Sequence, residues 1–223
     1  MIIDVPTSLG PGRLTVSAAD EPRALLWLGH GAGGGIGAAD LAALASRLPV
    51  LGITVARYEQ PWRVAGKKIA PRPVNLDIAW RETAPVVAEL AAGLPIIMGG
   101  RSAGARVGCR TAGELGAAAV VCLAFPLHPP GKPEVTRLEE LLQPDVPVLV
   151  LQGDRDTFGT AADLATDAAG HDNIRVVDVP GADHGMKVLK SSPLTAADVA
   201  ALVTASVLDF VNTVGDPSAR SSR

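Results

Sequence analysis

Residues 95–113 read PIIMGGRSAGARVGCRTAG, and this stretch restricts the fold more than any other. An apolar run enters two glycines, then a serine among small residues, then a small-faced stretch of helical character. Gly100, Ser102 and Gly104 have the spacing G-x-S-x-G. A serine at the tip of a sharp strand-to-helix turn has strained backbone angles, so its neighbours must lack bulk. Ala103 and Ala105 meet that demand as well. Gly108, Cys109 and Ala112 keep the following helix narrow, so it can pack close to a sheet. The free N–H groups and positive dipole end of that helix point at Ser102. The plain alternative is a tight structural turn whose serine caps a helix.

The same grammar runs along the chain. Apolar runs at 14–17, 24–28, 53–57, 95–98, 118–123, 148–151 and 174–179 read as strands, and residues 2–5 can pair with the first of them as a hairpin. Residues 38–47, 74–92, 102–114, 137–142, 160–169 and 195–213 read as helices. Strands that alternate with helices predict an α/β architecture with a mostly parallel sheet and helices on both faces. The runs IIM and AAVVCL are apolar without alternation, as befits strands covered on both sides. Thr195 and Asp198 form a capping-box pattern for the last helix, and Gly215 can stop it. No linker divides the chain, so residues 1–214 read as one domain and the polar residues 215–223 as a disordered tail. Residues 60–73, rich in Pro, Lys and Arg, read as a surface loop inserted after a strand.

Composition narrows the partners. The 223 residues carry a net charge of −3, which offers neither nucleic acid nor an anionic membrane a global attraction. No uninterrupted apolar run approaches the ~18 residues of a membrane span, and the N-terminus has no secretory pattern. The cysteines, Cys109 and Cys122, make neither a disulfide framework nor a metal-ligand spacing. They read as buried core thiols in a reducing, cytoplasmic setting. No metal and no cofactor is implied.

A serine hydroxyl needs a base before it attacks anything. In a parallel α/β sheet the site lies at the carboxyl edge, and in this fold class the partners follow in the order serine, acid, histidine. His30 and His128 come before the acid candidates, and His171 precedes a strand and so sits at the wrong edge. His184, in GADHG, directly follows the strand at 174–179. The acid comes from GDRD after the strand at 148–151. Asp156 has the longer reach, whereas Asp154 next to Gly153 suits a local turn. Asp183, adjacent to the base, points elsewhere too easily to orient it.

HGAGGG, GGRSAGARV, FPLHPPGKPE, GDRDTFG and GADHG stand in this order between His30 and His184. Together they resemble a compact α/β-hydrolase family, similar to dienelactone hydrolases, that includes bacterial hydrolases and a eukaryotic subunit of the NSL chromatin complex. The resemblance implies the α/β-hydrolase fold, with Ser102 as nucleophile, Asp156 as acid and His184 as base. The family often has proline after the acid, where this chain has Thr157. Some members of such families are interaction subunits, so a catalytically idle binding module is the second function class.

The loop GHGAGGGIG has two readings. Gly29, Gly31 and Gly34 satisfy G-x-G-x-x-G, the pyrophosphate cradle of dinucleotide-binding folds, and Glu59 could hold a ribose. That reading leaves GGRSAG, GDRD and GADHG unexplained. The other reading is an oxyanion hole. Its donors would be the N–H of Ala103 and that of Ala32, with Gly33 as the alternative, while His30 pins the loop. The substrate would be a small acyl compound. Arg101 is expected to orient the turn, touch substrate or form an ion pair. Phe125 and His128, after the strand at 118–123, are expected to line the pocket. The basic loop 57–72, with Lys67 and Lys68, either attracts an anionic acyl group or is simply solvated. No insertion long enough for a helical lid domain follows the strand at 118–123, so an open site is expected.

Overall fold

A computed structural model describes residues 1–214. Eight strands make one sheet: β1 (Ile2–Val5), β2 (Gly12–Ser17), β3 (Ala24–Gly29), β4 (Ile53–Glu59), β5 (Ile96–Arg101), β6 (Ala119–Leu123), β7 (Val148–Gly153) and β8 (Ile174–Val179). Their order is β1-β2-β4-β3-β5-β6-β7-β8. β1 and β2 are antiparallel, β2 is antiparallel to β4, and every other neighbouring pair is parallel. The helices are α1 (Ala39–Arg47), α2 (Pro61–Val64), α3 (Pro73–Ala91), α4 (Ala103–Thr111), α5 (Leu138–Leu141), α6 (Ala161–Asp167) and α7 (Ala196–Val214).

Side chains alternate along each central strand and feed two cores. Leu25 and Trp27 of β3 join Tyr58, Trp80, Val107 and Val120 on one face. Leu26 and Leu28 join Leu41, Leu44, Val203 and Phe210 on the other, under α1 and α7. Aromatic packing anchors the first layer: Trp27 and Trp80 stack with centroids 3.7 Å apart, and Tyr58 meets Trp80 edge-on at 5.8 Å. Burial pushes the Tyr58 phenol up to about 12. Helix α7 has the length and mean hydropathy, 1.4, of a membrane span. Its buried stripe of Val199, Val203, Val207, Phe210 and Val211 belongs to the second core instead.

Glycines set how closely α4 lies on the sheet. A Cβ on Gly104 would strike the Gly29 carbonyl, and one on Gly108 would sit 2.7 Å from the Gly99 Cα. The small face read in the sequence is therefore a contact surface against β3 and β5. An ion-pair cluster holds the far side of α4. Arg106 and Arg110 both bind Glu140 of α5, and Arg110 also binds Asp77 of α3 at 2.6 Å. Burial would raise the Glu140 carboxyl, but the two guanidiniums hold it below its ordinary value.

One expectation needs revision. Residues 60–73 are not a loop throughout. Gln60, Pro61 and Trp62 are buried, and α2 starts at Pro61. The basic and proline-rich composition hid one aromatic anchor: Trp62 drags the first half of the segment inward. The capping box of α7 forms, with Thr195 Oγ1 accepting from Asp198 N–H at 3.2 Å and Asp198 Oδ2 accepting from Thr195 N–H at 2.8 Å. The Gly215 stop and the tail at 215–223 lie outside the described residues.

Candidate active site

The carboxyl ends of β5, β7 and β8 meet at one point. Ser102 sits between β5 and α4 with φ 52° and ψ −108°, a left-handed conformation that a non-glycine residue adopts only under constraint. The Leu123 carbonyl at the end of β6 holds its N–H at 2.9 Å. Gly100, with φ 145°, makes the approach possible, because a Cβ there would strike the Gly29 carbonyl. His184 Nε2 lies 3.0 Å from Ser102 Oγ, and His184 Nδ1 lies 2.7 Å from Asp156 Oδ2. In the arrangement that satisfies both contacts, the serine hydroxyl donates to Nε2 and Nδ1–H donates to the carboxylate.

Asp156 is held on both oxygens. Its Oδ1 accepts the Phe158 N–H at 2.8 Å, and its Oδ2 accepts Gln152 Nε2 at 2.9 Å as well as the histidine. The side chain is fully buried, so these bonds replace water around the charge. Neither Gln152 nor Phe158 stood out in the sequence. Gln152 is the penultimate residue of β7 and fully buried, and it also donates to Gly159 O at 2.6 Å. Phe158 packs on the His184 ring with centroids 4.1 Å apart. The sequence signals available were a glutamine ending an apolar strand and a lone aromatic after the acid.

Asp154 does not close a turn on its own backbone. It accepts the Gly181 N–H at 2.8 Å, and Arg155 Nη1 donates to Gly181 O at 3.1 Å. Together they lash the β7 loop to the β8 loop that carries His184. Asp183 shapes that second loop by accepting the N–H groups of Gly185 and Lys187 at 2.7 and 3.0 Å. His171 is exposed ahead of β8, at the opposite edge.

The glycine loop arches beside the serine. A bond from Gly34 N–H to Gly31 O at 3.3 Å closes a four-residue turn with Ala32 and Gly33 at its centre. The N–H groups of Ala32, Gly33 and Ala103 have no protein acceptor among the described residues. A Cβ on Gly31 would lie 3.4 Å from Ser102 Cβ, whereas one on Gly33 would meet nothing within 4 Å. His30 accepts the Gln60 N–H on Nε2 at 3.2 Å, so its Nδ1–H donates to Gly31 O at 2.9 Å. Burial lowers the His30 pKa and favours this neutral form. The dinucleotide reading finds no support in this geometry. Helix α1 begins at Ala39, five positions after Gly34, and its first turn holds the buried carboxylate of Asp40. Glu59 lies in β4 opposite Arg13.

The expected substrate contacts fare differently. Arg101 is tied at both ends: one nitrogen binds Asp40 at 2.8 Å and the other binds the His184 carbonyl. It serves as an internal clamp. Phe125 is a correction, because its side chain is fully buried in the first core and only its carbonyl, which accepts from Gln152, takes part in the site. The fully apolar environment beneath β6 claimed it. The His128 ring binds Val135 O at 3.0 Å, within its own loop. Of the basic segment, Arg57 donates to Ile36 O at 2.8 Å, while Lys67 and Lys68 are exposed. Among the described residues no group of three or more His, Cys, Asp or Glu could hold a metal ion. A groove of about 450 Å³ lies beside the β8 loop, between Asp40, Met186, Leu194 and Val199, but neither Ser102 nor His184 lines it.

This strand order, with a serine elbow at the central strand, defines an α/β hydrolase without a lid domain. The model of the alpha/beta hydrolase domain family matches residues 22–212, and the chain belongs to that family. No curated protein matches it. Solved structures share the fold at low identity. An alpha-beta serine hydrolase homologue from Coxiella burnetii superimposes with a TM-score of 0.75 at 17% identity, over 93% of this chain and 97% of that one. A serine hydrolase without lid from Xanthomonas campestris gives 0.74 at 18%, over 94% of each chain. The esterase domain of a Rhodothermus marinus protein gives 0.64 at 15%, over 95% of this chain and 97% of that one.

Proposed function

We propose that the protein is a serine hydrolase of small acyl compounds, acting on a carboxylic ester, thioester or lactone. The observation that carries this reading is the continuous hydrogen-bond chain from Ser102 through His184 to Asp156. Ser102 Oγ attacks the acyl carbon while His184 Nε2 takes its proton. The oxyanion that forms is held by the N–H of Ala103 and that of Ala32, with Gly33 as the neighbouring donor. His184 then passes the proton to the leaving oxygen or sulfur as its bond to carbon breaks. Water repeats the sequence on the acyl-enzyme and releases the acid. Asp156 keeps the imidazole in the right tautomer and stabilises its charged form. The chemistry calls for no cofactor. The free thiols Cys109 and Cys122, 3.5 Å apart and buried, suit a reducing compartment such as the cytoplasm.

The test is hydrolysis of a panel of p-nitrophenyl esters by wild type and Ser102→Ala. Turnover by the wild type that the variant loses supports the reading. No turnover above background, or equal rates in the two proteins, contradicts it.

A further inference from the structure

The loop that carries His184 has a second side. Residues 183–187 close on themselves: Asp183 N–H donates to Lys187 O at 2.9 Å, and Met186 N–H donates to Asp183 O at 2.8 Å. From this one loop His184 meets Ser102, while Met186, held at φ 54°, is buried in the second core. A groove with a cavity volume of about 450 Å³ runs between the loop, the start of α1 and the first turns of α7. It is a site apart from the nucleophile, and its size is that of a small-molecule pocket.

Most of its walls are apolar. Met186, Val188, Leu194, Val199 and Val203 line it, and Leu189 is left 54% exposed there. Three charged residues join them. Asp40 accepts from Arg101 at 2.8 Å and from the Leu41 N–H at 2.9 Å, so its charge is satisfied from within the protein. Lys187 and Lys190 are exposed and join no ion pair among the described residues. A guest therefore meets apolar walls and two unpaired ammonium groups, which suits an apolar chain with one anionic head. The volume has room for roughly fifteen water-sized groups, enough for the chain of a medium-length fatty acid.

The groove also touches both supports of the catalytic base. Met186 and Lys187 belong to the closed loop, and Asp40 holds Arg101, whose other nitrogen binds the His184 carbonyl. The conformation that offers the groove is the one that holds His184 against Ser102, so a guest that binds it populates that arrangement.

We propose that this groove binds a medium-chain fatty-acid anion, with its chain along Val199 and Val203 and its carboxylate toward Lys187 and Lys190, and that the guest steadies the loop of the base. The binding is non-covalent and leaves Ser102 open to substrate.

The experiment titrates octanoate, below micelle formation, into the full chain by calorimetry, with octanol as the neutral probe. Wild type is expected to bind octanoate saturably at one site. Ala200→Phe, which fills the groove from α7, is expected to abolish that binding. The surface double variant Lys187→Gln/Lys190→Gln is expected to bind octanoate about threefold or more weakly, the scale of two exposed charge pairs, and octanol unchanged. Hydrogen exchange of residues 183–190 is expected to slow at saturating octanoate in wild type and not in Ala200→Phe. No saturable binding, binding that Ala200→Phe retains, undiminished affinity in the lysine variant or unaltered exchange at 183–190 each overturns the site. Octanoate that blocks fluorophosphonate labelling of Ser102 would sit at the nucleophile and overturns it too. A wild type that is never labelled removes the serine-hydrolase reading alone, and binding and exchange still decide the groove.

Discussion

Gln152 Nε2 lies 2.9 Å from Asp156 Oδ2, the same oxygen that His184 Nδ1 approaches to 2.7 Å. A buried amide thus fixes the carboxylate that fixes the base. Gln152→Leu keeps the volume and removes the donor. A hydrogen bond to a charged group contributes about 1.5–3 kcal/mol, so kcat is expected to fall roughly 10- to 100-fold. KM should hardly move, because Gln152 does not reach the substrate. Steady-state kinetics on an ester substrate check this split. A rise in KM at constant kcat would contradict the positioning role.

Arg101 joins Asp40 to the backbone of the base. Asp40 has almost no exposed side-chain surface, so Arg101→Met leaves a buried carboxylate without its partner. Breaking such a pair costs about 3–5 kcal/mol. Asp40→Asn in the same chain is expected to restore part of that loss, because the uncompensated charge is gone. Urea unfolding of the two single variants and the double variant measures the coupling. Additive losses would show that the pair does not matter to stability.

The turn from Gly31 to Gly34 yields a prediction that differs from one based on glycine content alone. Gly33 has open space around it, so Gly33→Ala is expected to leave kcat close to wild type. Gly31 faces Ser102, and Gly31→Val should depress kcat by crowding the nucleophile. Ala32→Pro removes the proposed donor at the second position of the turn, a position proline suits. Losing one oxyanion donor lowers kcat by about 10²- to 10³-fold. Full activity in Ala32→Pro would move the donor role to Gly33.

His30 gives stability a pH dependence. Burial depresses its native pKa below the ordinary 6.5, while the unfolded ring titrates at the ordinary value. Between those two values the unfolded chain binds more protons, so stability rises with pH there. The contribution is complete above 6.5 and is lost as pH falls toward the native value. Thermal melts at stepwise lower pH are expected to show Tm dropping more steeply for wild type than for His30→Asn. Parallel slopes would contradict the assignment.

Much of this site was readable from spacing, and the reason is topological. In a parallel sheet the residue just past each strand lies at one edge, so GGRSAG, GDRD and GADHG could be brought together before any distance was known. His171 and His184 were separated by the same rule. Contacts that run sideways between loops left no such trace. Gln152 looks like any strand residue until its amide meets Asp156, and Asp154 looks like a turn residue until it captures Gly181 N–H. Phe125 and Trp62 show the converse. Position after a strand suggested a pocket wall for the first, and basic neighbours suggested a surface loop for the second. Burial decided both against expectation.

The central claim is that Ser102 is a nucleophile activated by His184. The most direct measurement is labelling with a fluorophosphonate probe followed by intact-mass and peptide analysis, on wild type, Ser102→Ala and His184→Ala. The account predicts one adduct per wild-type chain, located on Ser102, none on Ser102→Ala, and labelling of His184→Ala slowed at least 100-fold, about the lower end of what a general base contributes. A wild-type protein that stays unlabelled, or an adduct that persists in Ser102→Ala, would contradict it and turn attention to a binding role for the fold.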